Sequence, residues 1–187
     1  MNDRPFSNKK VLLGITGSMA AYKACELVRR LKDGGAEIKV VMTQNALKFL
    51  GETTLLSLSG NKVVTDTFAS GEEWVADHIS LTRWADVVLI APATANIIGK
   101  VSSGIANDIL STTILSARCK VVFAPAMNSA MYENAIVQEN IARLRRLGYE
   151  FVEPEAGFLA CGEEGIGRLA DTNMIVEKLK AVLQQTS

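Results

Sequence analysis

The chain has 187 residues, 48% of them hydrophobic, and its 20 Lys and Arg balance its 20 Asp and Glu, so its net charge is zero. This length predicts one domain over residues 1–187, and the charge balance argues against a nucleic-acid partner or binding to an anionic membrane. Three cysteines without framework spacing favour a reducing cytoplasm over secretion, and the apolar runs are too short to span a bilayer.

Apolar runs alternate with helix-spaced segments along the chain. Strands are predicted at residues 9–16, 37–43, 63–64, 86–91, 120–124 and 150–152. Helices are predicted at residues 19–32, 78–84, 131–147 and 172–184, with one or two short helices within 45–59 and a loop over 154–168. The runs at 86–91 and 120–124 are rich in Val, Ile, Leu and Phe, as in parallel strands covered on both faces. We therefore predict an α/β fold with a doubly wound parallel sheet of the Rossmann or flavodoxin type, whose ligands bind at the carboxyl ends of the strands.

The first predicted strand runs into the turn GITGSMA at residues 14–20. Gly17 permits a tight turn, and the small residues Ser18 and Ala20 would leave backbone N–H groups open for a phosphate at a helix N-terminus. The spacing is neither that of a GxGxxG motif nor that of a Walker loop. The second strand ends at Thr43 without an acidic residue placed for an adenosine ribose. These features favour a mononucleotide over NAD, although a plain strand–turn–helix connection would have the same sequence.

Small and polar residues also follow the fourth and fifth predicted strands, in the segments PATAN at 92–96 and PAMNSAMY at 125–132. Thr94 and Asn96 either hold a phosphate or ring carbonyl, or cap the next helix. The amide of Asn128 stands where it can bind a carboxylate or carbonyl at the ligand-binding edge of the sheet. Met127 and Met131 can pack on a flat ring, but their spacing of four is equally that of a helix packed into the core.

Two further residues are candidates for proton transfer. His78 is the only histidine and begins an amphipathic segment, where a histidine serves either in catalysis or in the structure alone. Cys161 lies in ACGEEGIGR at 160–168, a stretch with three glycines in nine residues. A thiol on such a flap, with Arg168 nearby, suits a group that closes over a substrate and exchanges a proton. The alternative is a surface turn with an incidental cysteine.

Together these segments resemble the flavin-dependent cysteine decarboxylases, and specifically the phosphopantothenoylcysteine decarboxylases. The resemblance extends over about residues 9–183 and depends on the segments 17–23, 78–81, 92–96, 125–132 and 160–168 in this order. It implies an FMN cofactor and no metal. The FMN-binding residues that it implies are Gly17, Ser18, Ala20, Thr43, Thr94, Ala95, Asn96, Ile97 and Ala126.

The resemblance also implies a reaction, in which 4'-phosphopantothenoylcysteine is decarboxylated to 4'-phosphopantetheine for coenzyme A biosynthesis. The thiol is oxidised, CO₂ leaves, and the resulting enethiol is reduced. The implied catalytic residues are His78 as a base, Asn128 as the residue that holds the substrate carboxylate and amide, and Cys161 as a proton donor. The implied substrate-binding residues are Asn128, Met131, Lys23, Arg83 and Arg168.

Two positions depart from the family pattern, since Ile97 stands where threonine is common and Tyr132 where tryptophan is common. Larger bacterial relatives carry a fused synthetase domain, so we expect either a stand-alone decarboxylase or a truncated chain. The resemblance further implies a homotrimer, which can stack into a dodecamer, with the flavin at a subunit interface. The zero net charge of this apolar chain favours self-association as well.

Three alternatives remain at this point. A peptidyl-cysteine decarboxylase would stop at the enethiol, so Cys161 and its glycine-rich segment argue against that activity. A flavin prenyltransferase on the same fold would not require His78, Asn128 and Cys161 together. A flavin-binding regulatory subunit that inhibits a phosphatase often carries a long acidic tail or lacks the catalytic residues, and this chain does neither.

Overall fold

A six-stranded parallel sheet forms the centre of the molecule. The computed structural model describes residues 4–66, 77–158, 162 and 164–185. The strands of the central sheet are β1 (Lys10–Ile15), β2 (Glu37–Met42), β3 (Val63–Val64), β4 (Val87–Ala93), β5 (Lys120–Pro125) and β6 (Glu150–Phe151). Their order is β3-β2-β1-β4-β5-β6 and every neighbouring pair is parallel, which is the order of the Rossmann fold. The predicted parallel sheet is confirmed.

Helices cover both faces of this sheet. They are α1 (Lys23–Asp33), α2 (Glu52–Ser59), α3 (Asp77–Trp84), α4 (Ala95–Ser102), α5 (Ile109–Ser116), α6 (Ser129–Glu133), α7 (Ala135–Arg146) and α8 (Thr172–Gln185). Leu13 of β1 packs in a core with α1, α2 and α8, whereas its neighbour Leu12 packs in a second core with α3, α4, α5 and α7. Successive strand residues point to opposite faces, so two apolar layers explain why the strands read as nearly continuous apolar runs.

Two of the predicted helices are interrupted. The prediction of one helix over 19–32 was wrong in its first turn, because Met19–Tyr22 forms a 3₁₀ turn before α1 begins. The prediction of one helix over 131–147 was also wrong, because the chain breaks at Asn134 between α6 and α7. The Asn134 side chain accepts a hydrogen bond of 2.9 Å from the Ile136 N–H, so it caps α7 and starts a new helix.

Residues predicted as a loop over 154–168 instead contribute a second, two-stranded sheet. Strands β7 (Glu155–Phe158) and β8 (Glu164–Arg168) pair antiparallel as a hairpin. Glycines at positions 157, 165 and 167 interrupt the side-chain alternation, so no strand period is visible in the sequence. Within residues 4–66, 77–158 and 164–185, no helix has the length and hydropathy of a bilayer-spanning segment.

Candidate active site

The carboxyl ends of β1 and β4 are joined by one buried hydroxyl. These neighbouring strands are separated by more than 70 residues in the chain, and ligands of such sheets bind where the strand order reverses. The Thr16 hydroxyl donates to the Pro92 carbonyl at 2.7 Å and accepts from the Thr94 N–H at 3.1 Å. Sequence analysis missed Thr16, although a polar residue directly after an apolar strand was a visible signal. The two hydrogen bonds of Thr16, here called the Thr16 bridge, fix the first turn and the PATAN segment relative to each other.

A small cleft of about 210 Å³, here called the polar cleft, opens beside this bridge. It is lined by Thr16, Gly17, Thr43, Gln44, Asn45, Thr94, Asn96, Lys100 and Asp108. The structure thus brings together four of the predicted cofactor residues, which come from the ends of β1, β2 and β4. Position 17 requires glycine because Asn45 lies too close for a side chain there: a β-carbon at Gly17 would lie 2.7 Å from the β-carbon of Asn45.

The hydroxyl of Thr94 is not used for helix capping. Thr94 occupies the N-cap position of α4 with extended backbone angles, but its side chain makes no capping hydrogen bond. Thr43, in contrast, accepts a hydrogen bond of 3.3 Å from the Ala46 N–H. The capping alternative for Thr94 is therefore not supported, and Thr94 lines the polar cleft.

An ion pair closes the polar cleft on one side. Lys100 Nζ lies 2.7 Å from Asp108 Oδ2, and Asp108 also caps α5 by accepting from the Ser111 N–H at 2.8 Å. Burial alone would raise the pKa of the Asp108 carboxyl, but hydrogen bonds from Lys100 and Ser111 outweigh it and hold that pKa below its ordinary value. Sequence analysis missed this pair, of which only the cap, an aspartate before the apolar run of α5, was detectable.

A larger cleft of about 660 Å³, here called the wide cleft, lies between the first turn, the segment after β5 and the hairpin. It is lined by Ser18, Met19, Ala20, Tyr22, Lys23, Ala126, Met127, Asn128, Phe158, Gly167, Arg168 and Leu169. Six residues predicted for cofactor or substrate binding therefore share this cleft. The two clefts adjoin at the Gly17–Ser18 peptide, since Gly17 lines one and Ser18 the other.

Part of the predicted phosphate turn is already occupied by its own hydrogen bonds. The Ser18 hydroxyl accepts from the Ala20 N–H at 3.2 Å, and the Ser18 carbonyl accepts from the Ala21 N–H at 2.9 Å. The expectation that Ala20 leaves its N–H open was therefore wrong. The backbone of the turn is fixed by these two hydrogen bonds, and it borders the polar cleft at Gly17 and the wide cleft at Ser18.

Asn128 and two cations give the wide cleft its polar groups. Asn128 Oδ1 accepts from the Ala130 N–H at 2.8 Å, which fixes the carboxamide at the start of α6. Lys23 Nζ lies 3.5 Å from the Leu169 carbonyl, and Arg168 forms an ion pair of 2.9 Å with Glu155. A carboxamide donor, an ammonium and a guanidinium in one cleft can bind an anionic ligand with more than one acidic group.

Other predicted site residues lie elsewhere. Within the described part of the chain, neither cleft is lined by His78, Arg83, Ala95, Ile97 or Met131. Ile97 is only 1% exposed and packs in the core, so only its backbone can contact a ligand at the surface. His78 lies at the start of α3, and its buried Nδ1 has no hydrogen-bond partner among the described residues. Cys161 lies outside the described residues, in the connection between β7 and β8.

Tyr132, which departs from the family pattern, is fixed from several sides. Its side chain is buried, and its hydroxyl donates to Glu153 at 3.1 Å. Burial, followed by the negative charge of Glu153, raises the pKa of the Tyr132 hydroxyl. Tyr132 is therefore a buried packing residue whose hydroxyl is satisfied by Glu153.

Comparison with known proteins assigns the family. The sequence profile described as Flavoprotein matches residues 2–184. The chain belongs to the flavoprotein family. Curated relatives include the coenzyme A biosynthesis bifunctional protein CoaBC of Bacillus subtilis, which is 47% identical over 91% of this chain and 42% of the relative. The same protein of Vibrio vulnificus is 45% identical over 91% of this chain and 42% of the relative. The chain thus spans less than half the length of these curated relatives.

Several solved structures match this chain over nearly their whole length. The FMN-dependent cysteine decarboxylase SpaF has a TM-score of 0.85 and 35% identity, with 96% of this chain and 98% of that chain covered. A cysteine-to-serine mutant of PPC decarboxylase complexed with pantothenoylaminoethenethiol has a TM-score of 0.87 and 31% identity, with 96% and 99% covered. The FMN binding protein AtHal3 has a TM-score of 0.85 and 31% identity, with 96% and 98% covered.

Proposed function

We propose that the protein is an FMN-dependent decarboxylase that converts 4'-phosphopantothenoylcysteine to 4'-phosphopantetheine in cytoplasmic coenzyme A biosynthesis. The observation that carries this proposal is the wide cleft, where Asn128 faces the same space as the first turn, Lys23 and Arg168. The substrate carries a carboxylate and a phosphate, which match the carboxamide and the two cations. The names of the CoaBC relatives and of the PPC decarboxylase structure support the same activity.

The residues of the two clefts fit FMN. Its phosphate and hydroxyl-bearing chain suit the hydroxyls and amides of the polar cleft, where the unused cap hydroxyl of Thr94 is one available group. The flat ring suits the wide cleft, where Met19, Met127 and Tyr22 offer apolar side chains. When bound, FMN would supply an electron sink for oxidation of the substrate and the electrons for the final reduction.

The protein's own residues then orient the substrate and move protons. The Asn128 carboxamide donates a hydrogen bond to the substrate carboxylate. Because it is neutral, it does not add a positive charge that would stabilise the carboxylate and oppose the loss of CO₂. His78 takes the thiol proton during oxidation, since an imidazole nitrogen can act as a general base. After CO₂ leaves, Cys161 donates the proton that completes reduction of the enethiol, and its thiolate is reprotonated by solvent. Lys23 and Arg168 hold the anionic end of the substrate.

A homotrimer, alone or stacked into a dodecamer, is part of this proposal. His78 and Asn128 line no common cleft within the described part of one chain. A site shared between neighbouring copies would bring His78 of one copy to the wide cleft of the next. Met19, Tyr22 and Phe158 line that cleft and are 64%, 66% and 73% exposed, which is apolar surface that a neighbouring copy would cover.

The test is to incubate the purified protein, reconstituted with FMN, with phosphopantothenoylcysteine and to measure CO₂ and phosphopantetheine. We expect one CO₂ and one phosphopantetheine per substrate. A folded, FMN-loaded protein that releases no CO₂ would refute the proposed function.

A second candidate is decarboxylation of a carboxy-terminal cysteine in a peptide. The likeness to the cysteine decarboxylase SpaF at 35% identity is the observation that favours it. A peptide ending in cysteine is the matching substrate, and preferred turnover of this peptide would replace the first proposal by the second.

A further inference from the structure

Lys100 is the one cation among the described residues that line the polar cleft. Its Nζ lies 2.7 Å from Asp108 Oδ2, and the two side chains are only 21% and 26% exposed. Asp108 is itself held by a capping box, in which it accepts from the Ser111 N–H while the Ser111 hydroxyl pairs with the Asp108 backbone. The ammonium of Lys100 therefore has a fixed position at this cleft.

The remaining polar groups of the cleft carry no charge. Thr43 and Thr94 offer hydroxyls, and Gln44, Asn45 and Asn96 offer amides, whereas the Thr16 hydroxyl is engaged by Pro92 and Thr94. Such groups can bind both the hydroxyls of a sugar alcohol and the oxygens of a phosphate. FMN and riboflavin share the ring and the hydroxyl-bearing chain and differ only in the phosphate, so a cation that contacts the phosphate favours FMN over riboflavin.

The size of the cleft also favours the phosphate end of the cofactor. The polar cleft has a volume of about 210 Å³, whereas the adjoining wide cleft has about 660 Å³ and apolar walls. A lysine ammonium has three donors. One is directed to Asp108, and the others are available to phosphate oxygens that enter the cleft beside it.

We propose that Lys100 binds the phosphate of FMN, with Asp108 as its positioning residue, and that this contact makes the site select FMN over riboflavin. The inference rests on the proposed function in that it assumes a flavin as the ligand. Asp108 holds the ammonium at the cleft before the cofactor arrives. Its own negative charge repels the phosphate, so the selectivity that Lys100 confers is moderate.

The test compares the dissociation constants of FMN and riboflavin for the flavin-free protein, measured by flavin fluorescence and calorimetry. Wild type should bind FMN more tightly than riboflavin, and the preference should fall as NaCl is raised. In Lys100→Met, which keeps the apolar stem, FMN should bind about tenfold or more weakly while riboflavin changes less than about twofold.

Two matched variants remove one positive charge elsewhere. Lys62→Met changes an exposed lysine that lines neither cleft, and Lys23→Met changes the lysine of the wide cleft. Both should keep the wild-type ratio of the two dissociation constants. Loss of the ratio in Lys23→Met but not in Lys100→Met would place the phosphate in the wide cleft and overturn the proposal.

Other outcomes also decide the matter. Equal weakening of both flavins in Lys100→Met would show that the ion pair with Asp108 is only structural. If Lys100→Met does not fold, wild type and Lys100→Arg remain informative, because equal wild-type affinity for FMN and riboflavin would refute the proposal and retained selectivity in Lys100→Arg would support it. A folded wild-type protein that binds neither flavin contradicts the proposed function itself, which is a distinguishable result.

Discussion

Gly167 of the hairpin lies directly against the backbone of Met127. The Met127 N–H donates to the Gly167 carbonyl at 2.9 Å, and a β-carbon at Gly167 would collide with the Met127 carbonyl oxygen. Two residues earlier in the same strand, a β-carbon at Gly165 would collide with the Ser129 hydroxyl. Gly165 and Gly167 thus let the backbone of β8 approach the segment that carries Asn128. The hairpin and that segment together form one wall of the wide cleft.

Gly167→Ala should detach this wall. The backbone φ of Gly167 is +140°, a region that disfavours other residues, and the added methyl group would also displace Met127. We expect a loss of about 2 kcal/mol in the free energy of unfolding, measured by denaturant titration, and a marked loss of turnover. Gly162→Ala is the control, because Gly162 has a φ of +85° but no atom of the described residues lies within 4 Å of the point that an added β-carbon would occupy. Equal effects of the two changes would contradict the docking interpretation.

Asn128→Asp should abolish turnover without unfolding the protein. An aspartate can still accept the capping hydrogen bond from Ala130, but its charge would oppose the substrate carboxylate. We expect kcat/KM to fall about a hundredfold or more, since a like-charge contact costs several kcal/mol. Asn134→Asp makes the same change at the cap of α7, outside both clefts, and should leave kcat/KM near the wild-type value. Near-normal turnover by Asn128→Asp would remove Asn128 from the substrate site.

Cys161→Ser should separate the two halves of the proposed reaction. A serine hydroxyl is far too weak an acid to replace the thiol as proton donor. The variant should still release CO₂ in a single turnover, and mass spectrometry should find a product two hydrogens short of phosphopantetheine. Cys119→Ser is the control, because Cys119 precedes β5 at the opposite edge of the sheet and burial raises the pKa of its thiol. Normal phosphopantetheine from Cys161→Ser at the normal rate would show that Cys161 is not the proton donor.

Mixing two inactive variants tests the shared site. His78→Asn should bind FMN but fail to oxidise the thiol, and Asn128→Asp should be inactive for the reason above. If each site combines His78 of one copy with Asn128 of another, co-refolded mixtures contain some intact sites and regain part of the activity. Light scattering should report a trimer or a multiple of three. A fully active monomer, or mixtures that stay inactive although the subunits exchange, would contradict the proposed assembly.

Glu155 should make the anchoring of the hairpin sensitive to acid. The Asp171 backbone N–H, followed by the Arg168 side chain, holds the pKa of the Glu155 carboxyl below its ordinary value of 4.5. Because the folded-state pKa is lowered, this contribution to stability is present above about pH 4.5 and is lost as the pH falls through the folded-state pKa.

Glu155→Gln should therefore be less stable than wild type at pH 7 and should lose less stability between about pH 5 and pH 3. The measurement is denaturant unfolding across this range. Glu177→Gln removes a carboxylate that is 70% exposed and whose ion pair is 3.9 Å long, and it should reproduce the wild-type curve. An unchanged slope in Glu155→Gln would show that this carboxylate does not couple folding to pH.

Local patterns were enough to predict the sheet and the position of the site. The strands β1, β4 and β5 are apolar runs because both of their faces are buried, and their order in a doubly wound sheet places the following turns at one edge. That reasoning also brought Thr43, Thr94 and Asn128 toward the same edge.

Features that depend on distant or subtle contacts were not predictable in this way. The sequence could have indicated Thr16 after its strand and Asp108 as a helix cap. It could not indicate their partners, because the Thr16 bridge and the ion pair between Lys100 and Asp108 join different elements. The break between α6 and α7 depends on the cap at Asn134, which competes with an uninterrupted helical period. The hairpin was missed because glycines occupy positions where its backbone is closely packed. They therefore interrupt the alternation of apolar and polar side chains that would indicate a strand.

The Thr16 bridge bears on how the protein tolerates an empty site. Both the proton and an acceptor position of this hydroxyl are engaged by Pro92 and Thr94, so two loops of the polar cleft are fastened to each other by the protein itself. A frame assembled in advance needs little ordering when a ligand enters. The protein should therefore remain folded when its flavin is removed and should rebind the flavin reversibly. It should also bind chemically altered flavins.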